Sequence, residues 1–431
     1  MNRTVFVNAR LCDPASNLDL TGDILVEDGL IVDIGPDLAT QGAASDTETV
    51  PCHGKLLTPG LIDMRVFTGE PGTEYRETLG SASLSAAAGG VTTFIVMPNT
   101  EPVIDDVALV DFISRRARDT AIVNVHPMAA ITKACQGEQM TEIGLLKDAG
   151  AVAFTDGDKP LANSLVMRRA LSYATFFDAL IVQHAEDRTL AAGGVMNESE
   201  LASRLGLAGR PALAETIMIE RDLRLVELTG ARYHVAQVSC KASVDVIRRA
   251  KAAGLPVTCG VSASHLTLNE NDVASYRTFM KLLPPLRGED DRVALVEGVA
   301  DGTIDVIVSS HHPQDPETKR LPFAQAAFGA VGLETLWPAT LSLVHAGSIT
   351  LERAIDALTT RPAKLLGLPS GRLQKGAPAD FVLSDINVPW ILNPDDLKSK
   401  TKNTPYDERR LQGRAIRTIV GGKTVHVLGE N

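Results

Sequence analysis

Short apolar runs alternate with segments of helical periodicity through the middle of the chain. The helical spacing of apolar residues is clear in residues 165–171 and 243–251, where they recur on one face. Strands that alternate with helices in this way are the signature of a (β/α)8 barrel, in which functional side chains come from the carboxyl ends of the strands. Eight apolar runs predict these strands: residues 61–67, 92–97, 122–126, 152–154, 180–184, 233–238, 256–259 and 304–308.

The two ends of the chain carry a different pattern, in which β-branched runs are separated by turn residues. An Asp28-Gly29 step between two apolar runs near the start is a strong hairpin signal. A Gly421-Gly422 turn separates two runs near the end. We predict an α/β fold in which both ends pair into one small domain. The predicted domains are a β-sandwich of residues 1–55 plus 369–431 and a (β/α)8 TIM barrel of residues 56–368.

Composition narrows the class of protein. The 431 residues are 44% hydrophobic, which is sufficient for a well-filled core. A net charge of -11 without clustered Lys and Arg argues against nucleic-acid binding. The chain shows no apolar run of the roughly 20 residues that a membrane helix needs and no leader-type apolar stretch, so we expect a cytoplasmic protein without membrane association. Five scattered cysteines predict reduced, buried thiols.

A Pro59-Gly60 turn followed by an apolar run opens the predicted barrel. Strand alternation predicts that Asp63, Arg65 and Phe67 share the face aimed at the barrel mouth and that the residues between them face away. This stretch and several others resemble the dihydroorotase branch of the amidohydrolase superfamily. The resemblance spans about residues 55 to 425, and its motifs lie at residues 59–67, 70–78, 88–93, 97–100, 284–287 and 328–335.

The resemblance implies zinc-dependent hydrolysis of a cyclic amide and indicates where the chemistry should lie. In active relatives the first barrel strand ends with two zinc-binding histidines and an arginine that holds the substrate carboxylate. These three positions are Arg65, Phe67 and Gly69 here. Asp156 and His184 match metal ligands of the family.

Further along the chain the match to the family's site is partial. Gln237 stands where the family has a metal-binding histidine, and Ser310 stands at the position of its catalytic aspartate. His311 matches the histidine that follows, and Asn99 matches a residue that contacts substrate. Leu283 occupies the position of a second substrate-binding asparagine.

These substitutions predict a barrel mouth without zinc, because two matched ligands, Asp156 and His184, do not make a zinc site. Arg65 would place a permanent cation where the metal charge sits in relatives. We hypothesise that Arg65 pairs with Asp156, since an unpaired buried carboxylate is costly. The remaining mouth could still bind a small molecule.

The losses predict an inactive dihydroorotase-like protein of pyrimidine biosynthesis, oligomeric and serving as a structural or regulatory partner of aspartate carbamoyltransferase. Three alternatives remain open. One is an active dihydroorotase or related cyclic-amide hydrolase with an atypical metal site built from His184, Asp156, His234 and His311. The others are a non-catalytic barrel that binds a metabolite and a homo-oligomeric structural protein.

Overall fold

A computed structural model describes residues 3–39, 47–273 and 275–430. Within these ranges strands and helices alternate as the apolar pattern predicts. The strands are β1 (Arg3–Asp13), β2 (Leu18–Glu27), β3 (Leu30–Gly35), β4 (Glu48–Pro51), β5 (Leu56–Pro59), β6 (Leu61–Val66), β7 (Val91–Val96), β8 (Asn124–Pro127), β9 (Ile181–Gln183), β10 (Met196–Asn197), β11 (Gly209–Arg210), β12 (Tyr233–Val235), β13 (Val257–Ser262), β14 (Val306–Val308), β15 (Phe381–Ile391), β16 (Arg410–Val420) and β17 (Lys423–Val427).

Helices follow most barrel strands, and side-chain caps mark where several of them begin. Thr78 accepts from the Ser81 backbone N–H, and Asp106 from that of Leu109, so that unpaired amides of the first turn are satisfied. The helices are α1 (Leu79–Ala88), α2 (Val107–Thr120), α3 (Ile143–Asp148), α4 (Ser164–Thr175), α5 (Glu200–Leu205), α6 (Leu213–Thr229), α7 (Lys241–Ala252), α8 (Ala263–Thr267), α9 (Glu289–Ala300), α10 (Pro316–Arg320), α11 (Leu336–His345), α12 (Leu351–Leu358) and α13 (Thr360–Leu366).

The barrel consists of parallel strands that close on themselves. Strands β6, β7 and β8 pair in that order, and β9, β12, β13 and β14 pair in a second run. The predicted strand at residues 152–154 joins the two runs through bridges at Phe154 alone. A parallel bridge between Val66 and His311 completes the ring. The (β/α)8 prediction is therefore confirmed, with the carboxyl ends of the strands meeting at one mouth.

Both chain ends pair into one sheet, as predicted. Its strand order is β17-β16-β15-β5-β1-β2-β3, with β4 beside β1. The short strand β5 pairs with β1 in parallel and with β15 antiparallel, so it links the two ends just before the barrel begins. Residues 1, 2, 40–46 and 431 of the predicted terminal domain lie outside the described residues.

The turn from β5 into β6 requires glycine. A Cβ on Gly60 would lie 2.1 Å from the Thr92 hydroxyl oxygen, closer than any side chain tolerates. This contact sets β6 directly against β7 at the start of the barrel. All five cysteines are free and buried, as predicted. Among the described residues, no helix combines the length and apolar character of a membrane span.

Trp337 on α11 connects the barrel to the terminal sheet. Its side chain is fully buried, and its indole N–H donates to the Ser384 hydroxyl of β15 at 3.1 Å.

We expect Trp337→Ala to lower the free energy of unfolding by about 3–5 kcal/mol, because it opens a cavity at this junction. Urea denaturation measures the change. Phe176→Ala, at an aromatic side chain that is 82% exposed, is the matched control and should change stability by less than about 0.5 kcal/mol. Equal effects of the two substitutions would contradict the prediction.

Candidate active site

The first barrel strand contains an extra residue between Asp63 and Val66. The positions on β7 that pair with these two residues are only two apart. A bulge of this kind interrupts the alternation of side chains. Met64, predicted to face away from Phe67, packs with it in the same apolar cluster inside the barrel, and Met64 and Arg65 line one small cavity there. The predicted alternation therefore holds for Arg65 and Phe67, which line one cavity of the mouth, and is wrong for Met64.

Arg65 places its guanidinium group inside the barrel mouth, where the residue is only 3% exposed. Its Nε and Nη1 atoms meet no hydrogen-bond acceptor in the described part of the chain. The Cζ atom lies 5.1 Å from the centre of the Phe67 ring. Burial lowers the pKa of Arg65 to about 10, while Asp158 and Asp63 oppose the shift. The group remains a cation at neutral pH.

Asp156 is satisfied by a neighbour other than Arg65. Its two oxygens accept from the Thr132 backbone N–H at 2.9 Å and from the Thr132 hydroxyl at 2.5 Å. Burial raises the pKa of Asp156, and these hydrogen bonds oppose the rise. The hypothesis of an Arg65–Asp156 ion pair is therefore wrong, because neutral donors from an adjacent loop already compensate for burial of the carboxylate.

His184 follows β9 and is 2% exposed, and neither of its ring nitrogens has a hydrogen-bond partner among the described residues. The Glu186 carboxylate lies 4.0 Å from its Nε2 atom and is itself bound at 2.5 Å by Arg210. Burial, reinforced by the Arg65 charge, lowers the pKa of His184 to about 4. The ring is therefore neutral at physiological pH.

Gln237 and Ser310 meet across the mouth. The Ser310 hydroxyl donates to Gln237 Oε1 at 3.3 Å, and this leaves the buried Nε2 of Gln237 without a partner in the described chain. Ser310 has a φ of 53°, a left-handed conformation that non-glycine residues adopt at a cost of about 1–3 kcal/mol. The strand-end backbone is thus strained where the family has its catalytic aspartate.

His311 contacts the surrounding backbone and the Glu77 side chain. Its Nδ1 accepts from the Gly332 backbone N–H at 3.2 Å, and its Nε2 lies 3.5 Å from the Glu77 carboxylate. Burial alone would raise the pKa of Glu77, but His311 and the Ser399 hydroxyl outweigh it and lower that pKa. His311 therefore fastens the closing strand to the loop before α1 and does not line the cavities of the mouth.

Two adjoining cavities occupy the mouth. The outer cavity has a volume of about 310 Å3 and the inner one about 20 Å3. Phe67, Asp158, Leu283 and His312 line both of them. The outer cavity is also lined by Gly69, Arg76 and Asn99, and the inner one by Arg65 and Ser310.

Gly69 leaves room in the outer cavity that an arginine would fill. It has a φ of 79°, and a Cβ there would lie 2.6 Å from the Thr73 hydroxyl oxygen. A larger residue therefore requires the loop to move. Leu283, where the family has asparagine, makes the opposite wall apolar.

Asp158 and His312 are site residues that the sequence-based prediction missed. Asp158 accepts from the Asn99 side-chain amide at 3.2 Å. The His312 ring stacks on Phe67 with ring centres 4.1 Å apart, and burial lowers its pKa to about 4. Their closeness in sequence to residues that match the family's site could have indicated them, since Asp158 follows Asp156 by two residues and His312 follows His311 directly.

The residues at the mouth do not fit a zinc centre. Zinc sites need three or four nitrogen, sulfur or oxygen ligands around one point. Among the described residues, no three His, Cys, Asp or Glu side chains come together in a metal-binding arrangement. Three members of the alternative set have other partners: Asp156 accepts from Thr132, His234 is hydrogen-bonded to Thr258, and His311 lies beside Glu77.

Comparison with known proteins gives the family. Residues 54–243 match the family described as Dihydro-orotase-like, and residues 342–426 match the one described as Amidohydrolase family. The dihydroorotase of Wolbachia sp. subsp. Brugia malayi (strain TRS) is 44% identical over 426 residues, covering 98% of this chain and 96% of that protein. The chain belongs to the dihydroorotase family. The dihydroorotase of Syntrophotalea carbinolica is 43% identical over 99% of this chain and 100% of its own length.

Solved structures give the same architecture. The L-hydantoinase (dihydropyrimidinase) from Arthrobacter aurescens superimposes with a TM-score of 0.90 at 28% identity, covering 100% of this chain and 97% of that one. The dihydropyrimidinase from Brevibacillus agri NCHU1002 gives 0.85 at 22% identity, covering 98% and 95%, and supports the fold alone. Members of the dihydroorotase family belong to the wider group of cyclic-amide hydrolases.

The comparisons contradict the prediction of an inactive regulatory partner. Relatives that are 42–44% identical over nearly the whole chain are named dihydroorotase, which favours an active enzyme. The prediction was wrong because it took the loss of the family's metal-binding, catalytic and substrate-binding side chains to mean the loss of activity.

Buried neutral histidines make stability depend on pH. Burial lowers the pKa of His184 and His312 to about 4 and of His234 to about 3, whereas an unfolded histidine titrates near 6.5. The folded protein therefore binds fewer protons between these values, and stability present above about pH 6.5 is lost as the pH falls toward 4. We expect His184→Asn to make this loss less steep, measured as unfolding midpoints in urea from pH 8 to pH 4.

The control for that experiment is His53→Asn, at an exposed histidine whose φ of 52° asparagine tolerates. It should leave the slope of stability against pH as it is in the parent protein. Parallel curves for the parent and for His184→Asn would show that His184 is not the buried neutral group described above.

Proposed function

We propose that this protein is a dihydroorotase, which interconverts dihydroorotate and carbamoyl aspartate by opening and closing the ring amide. The observation that carries the proposal is the whole-length match to relatives named dihydroorotase, at 44% identity over 98% of the chain. The described residues of the mouth do not include the family's set of metal ligands. The roles proposed below are therefore assigned to the side chains that are there.

The outer cavity supports the proposal by its size and its lining. About 310 Å3 lies within the range of pockets that bind small metabolites. Apolar walls at Phe67 and Leu283 suit a flat ring, and polar groups at Asn99, Asp158 and His312 can orient its amide edges.

Ring opening adds a water oxygen to the carbonyl carbon of the ring amide and breaks the bond from that carbon to the ring nitrogen. One proton of the water ends on the nitrogen, and the other leaves when the new carboxyl group ionises. Asp158 is the group placed to accept a proton from the attacking water, since its carboxylate lines both cavities. The protonated Asp158 carboxyl group then passes this proton on to the leaving nitrogen. The neutral His312 ring, which lines the same two cavities, can relay it by accepting the proton on one ring nitrogen as it releases the proton of the other.

Assembly remains a separate prediction. Homo-oligomer formation and association with aspartate carbamoyltransferase were expected from the resemblance, and the described contacts within one chain bear on neither. Light scattering of the purified protein tests the first, and co-purification with the transcarbamoylase tests the second.

The activity is tested by following dihydroorotate at its ring absorbance in both directions. We expect turnover by the parent protein and a loss of about 10²–10⁴-fold in kcat for Asp158→Asn, because general acid–base groups contribute on that scale. Asp148→Asn, an exposed aspartate at the end of α3, is the matched control and should keep parent activity.

Two results would count against this function. Equal activity of the parent and Asp158→Asn would remove Asp158 from the reaction. Absence of turnover in both directions, with binding of dihydroorotate retained in calorimetry, would defeat the hydrolase proposal and indicate the metabolite-binding barrel considered from the sequence.

A further inference from the structure

Buried polar atoms without partners cluster at the bottom of the barrel mouth. They are Nε and Nη1 of Arg65, both ring nitrogens of His184 and Nε2 of Gln237. The three side chains are each no more than 3% exposed. In folded proteins most buried polar atoms are hydrogen-bonded, so a group of unpaired ones in one place points to a missing ligand.

The three side chains belong to one site. Arg65 and Ser310 line the inner cavity, and Ser310 is hydrogen-bonded to Gln237. His184 follows β9 directly, and β9 pairs with β12, the strand that precedes Gln237, so both side chains come from neighbouring strand ends. Strands β6, β9, β12 and β14 thus direct these groups toward the same region of the mouth.

The available carboxylates do not neutralise Arg65 directly. Asp63 accepts from the Arg65 backbone N–H at 3.1 Å and from the Ser309 backbone N–H at 3.2 Å. Asp158 lines the inner cavity with Arg65 but binds the Asn99 amide. Within the described residues, no carboxylate oxygen lies at ion-pair distance from the guanidinium group.

A buried cation without a close counter-ion is destabilising, and its desolvation is offset only by an anion with good geometry. Arginine suits this task because its planar donors match carboxylate oxygens. Gln237 Nε2 is a further donor, and the His184 ring donates from whichever nitrogen carries its proton. The donors outnumber the acceptors, so the site favours a negatively charged oxygen.

We propose that Arg65, flanked by Gln237 and His184, binds a carboxylate oxygen of the ligand. The inner cavity of about 20 Å3 has room for roughly one oxygen-sized group, and the rest of the ligand would occupy the adjoining outer cavity. The inference deepens the proposed function, on which it rests for the identity of the ligand, by naming the group that recognises the ligand's charge.

The test compares two ring compounds that differ in one group. Dihydroorotate carries a carboxylate, and dihydrouracil is the same ring without it. Isothermal titration calorimetry should show that the parent protein binds dihydroorotate more tightly than dihydrouracil. Arg65→Gln should weaken dihydroorotate about 10- to 100-fold, as expected for loss of a charge-assisted hydrogen bond, and leave dihydrouracil unchanged. Arg65→Lys, which keeps the charge, should recover part of the preference.

Two control variants separate this site from other cations. Arg410→Gln removes an exposed arginine of β16 and should leave both affinities unchanged. Arg76→Gln removes the arginine that lines the outer cavity. Loss of the preference for dihydroorotate in Arg76→Gln, together with its retention in Arg65→Gln, would place the carboxylate in the outer cavity and overturn the proposal.

The stability of the protein without ligand gives a second test. Replacing an arginine that only holds the fold together would lower stability, whereas replacing Arg65 should raise it. Arg65→Met removes a buried unpaired charge and keeps an apolar side chain of similar length, so its unfolding midpoint in urea should rise. A lower midpoint would mean that the guanidinium group holds the fold, and would overturn the proposal. Carboxylate-dependent binding through Arg65 without any turnover would refute the proposed hydrolysis and leave this inference standing.

Discussion

Closure of the barrel between β6 and β14 is the constraint on which the mouth depends. The buried Asp63 carboxylate accepts from the backbone N–H groups of Arg65 and Ser309 at 3.1 and 3.2 Å, so it links the first strand to the last. The Phe67 backbone N–H donates to the His311 carbonyl at 2.9 Å next to it. Burial raises the pKa of Asp63 to about 6, and hydrogen bonds from Ser309 and Arg65 oppose the rise. The extra residue on β6 lies within this junction, between Asp63 and Val66.

The electrostatics of the mouth follow from that geometry. A guanidinium group carries its positive charge permanently, whereas a metal site needs several converging ligands to hold one. Arg65 and Phe67 stand where the family has two zinc-binding histidines. The mouth therefore keeps a positive charge, that of Arg65, but loses two side chains that would bind a metal ion. Neutral His184 and His312 are the consequence, because an added proton would face both desolvation and the Arg65 charge.

Family membership and the chemistry of the mouth rest on different residues. The match to dihydroorotases extends over nearly the whole chain. The reacting groups are a few side chains at the strand ends, and a barrel can change them without changing its core. This separation explains why substitutions at Arg65, Phe67 and Gly69 led the sequence-based interpretation to expect an inactive partner, whereas the relatives favour an enzyme.

The apolar periodicity predicted the barrel, because burial on both faces of parallel strands imposes continuous apolar runs. It also predicted the union of the two chain ends. The candidate site was harder to predict, since a pattern locates residues at strand ends but gives no contacts between strands. Asp156 illustrates this limit: the sequence shows a carboxylate near a lost metal, and only the fold shows Thr132 satisfying it.

By itself, therefore, the sequence determined the fold, the family resemblance and the replacement of metal ligands by Arg65 and Phe67. Strand alternation also predicted that Arg65 and Phe67 face the mouth, and both line its inner cavity. The tertiary structure alone decided that Met64 lies on the same side, because the bulge on β6 depends on pairing with β7 and no local pattern reveals it. For the same reason only the folded chain brings Arg65, His184 and Gln237 together, since they come from strands far apart in sequence.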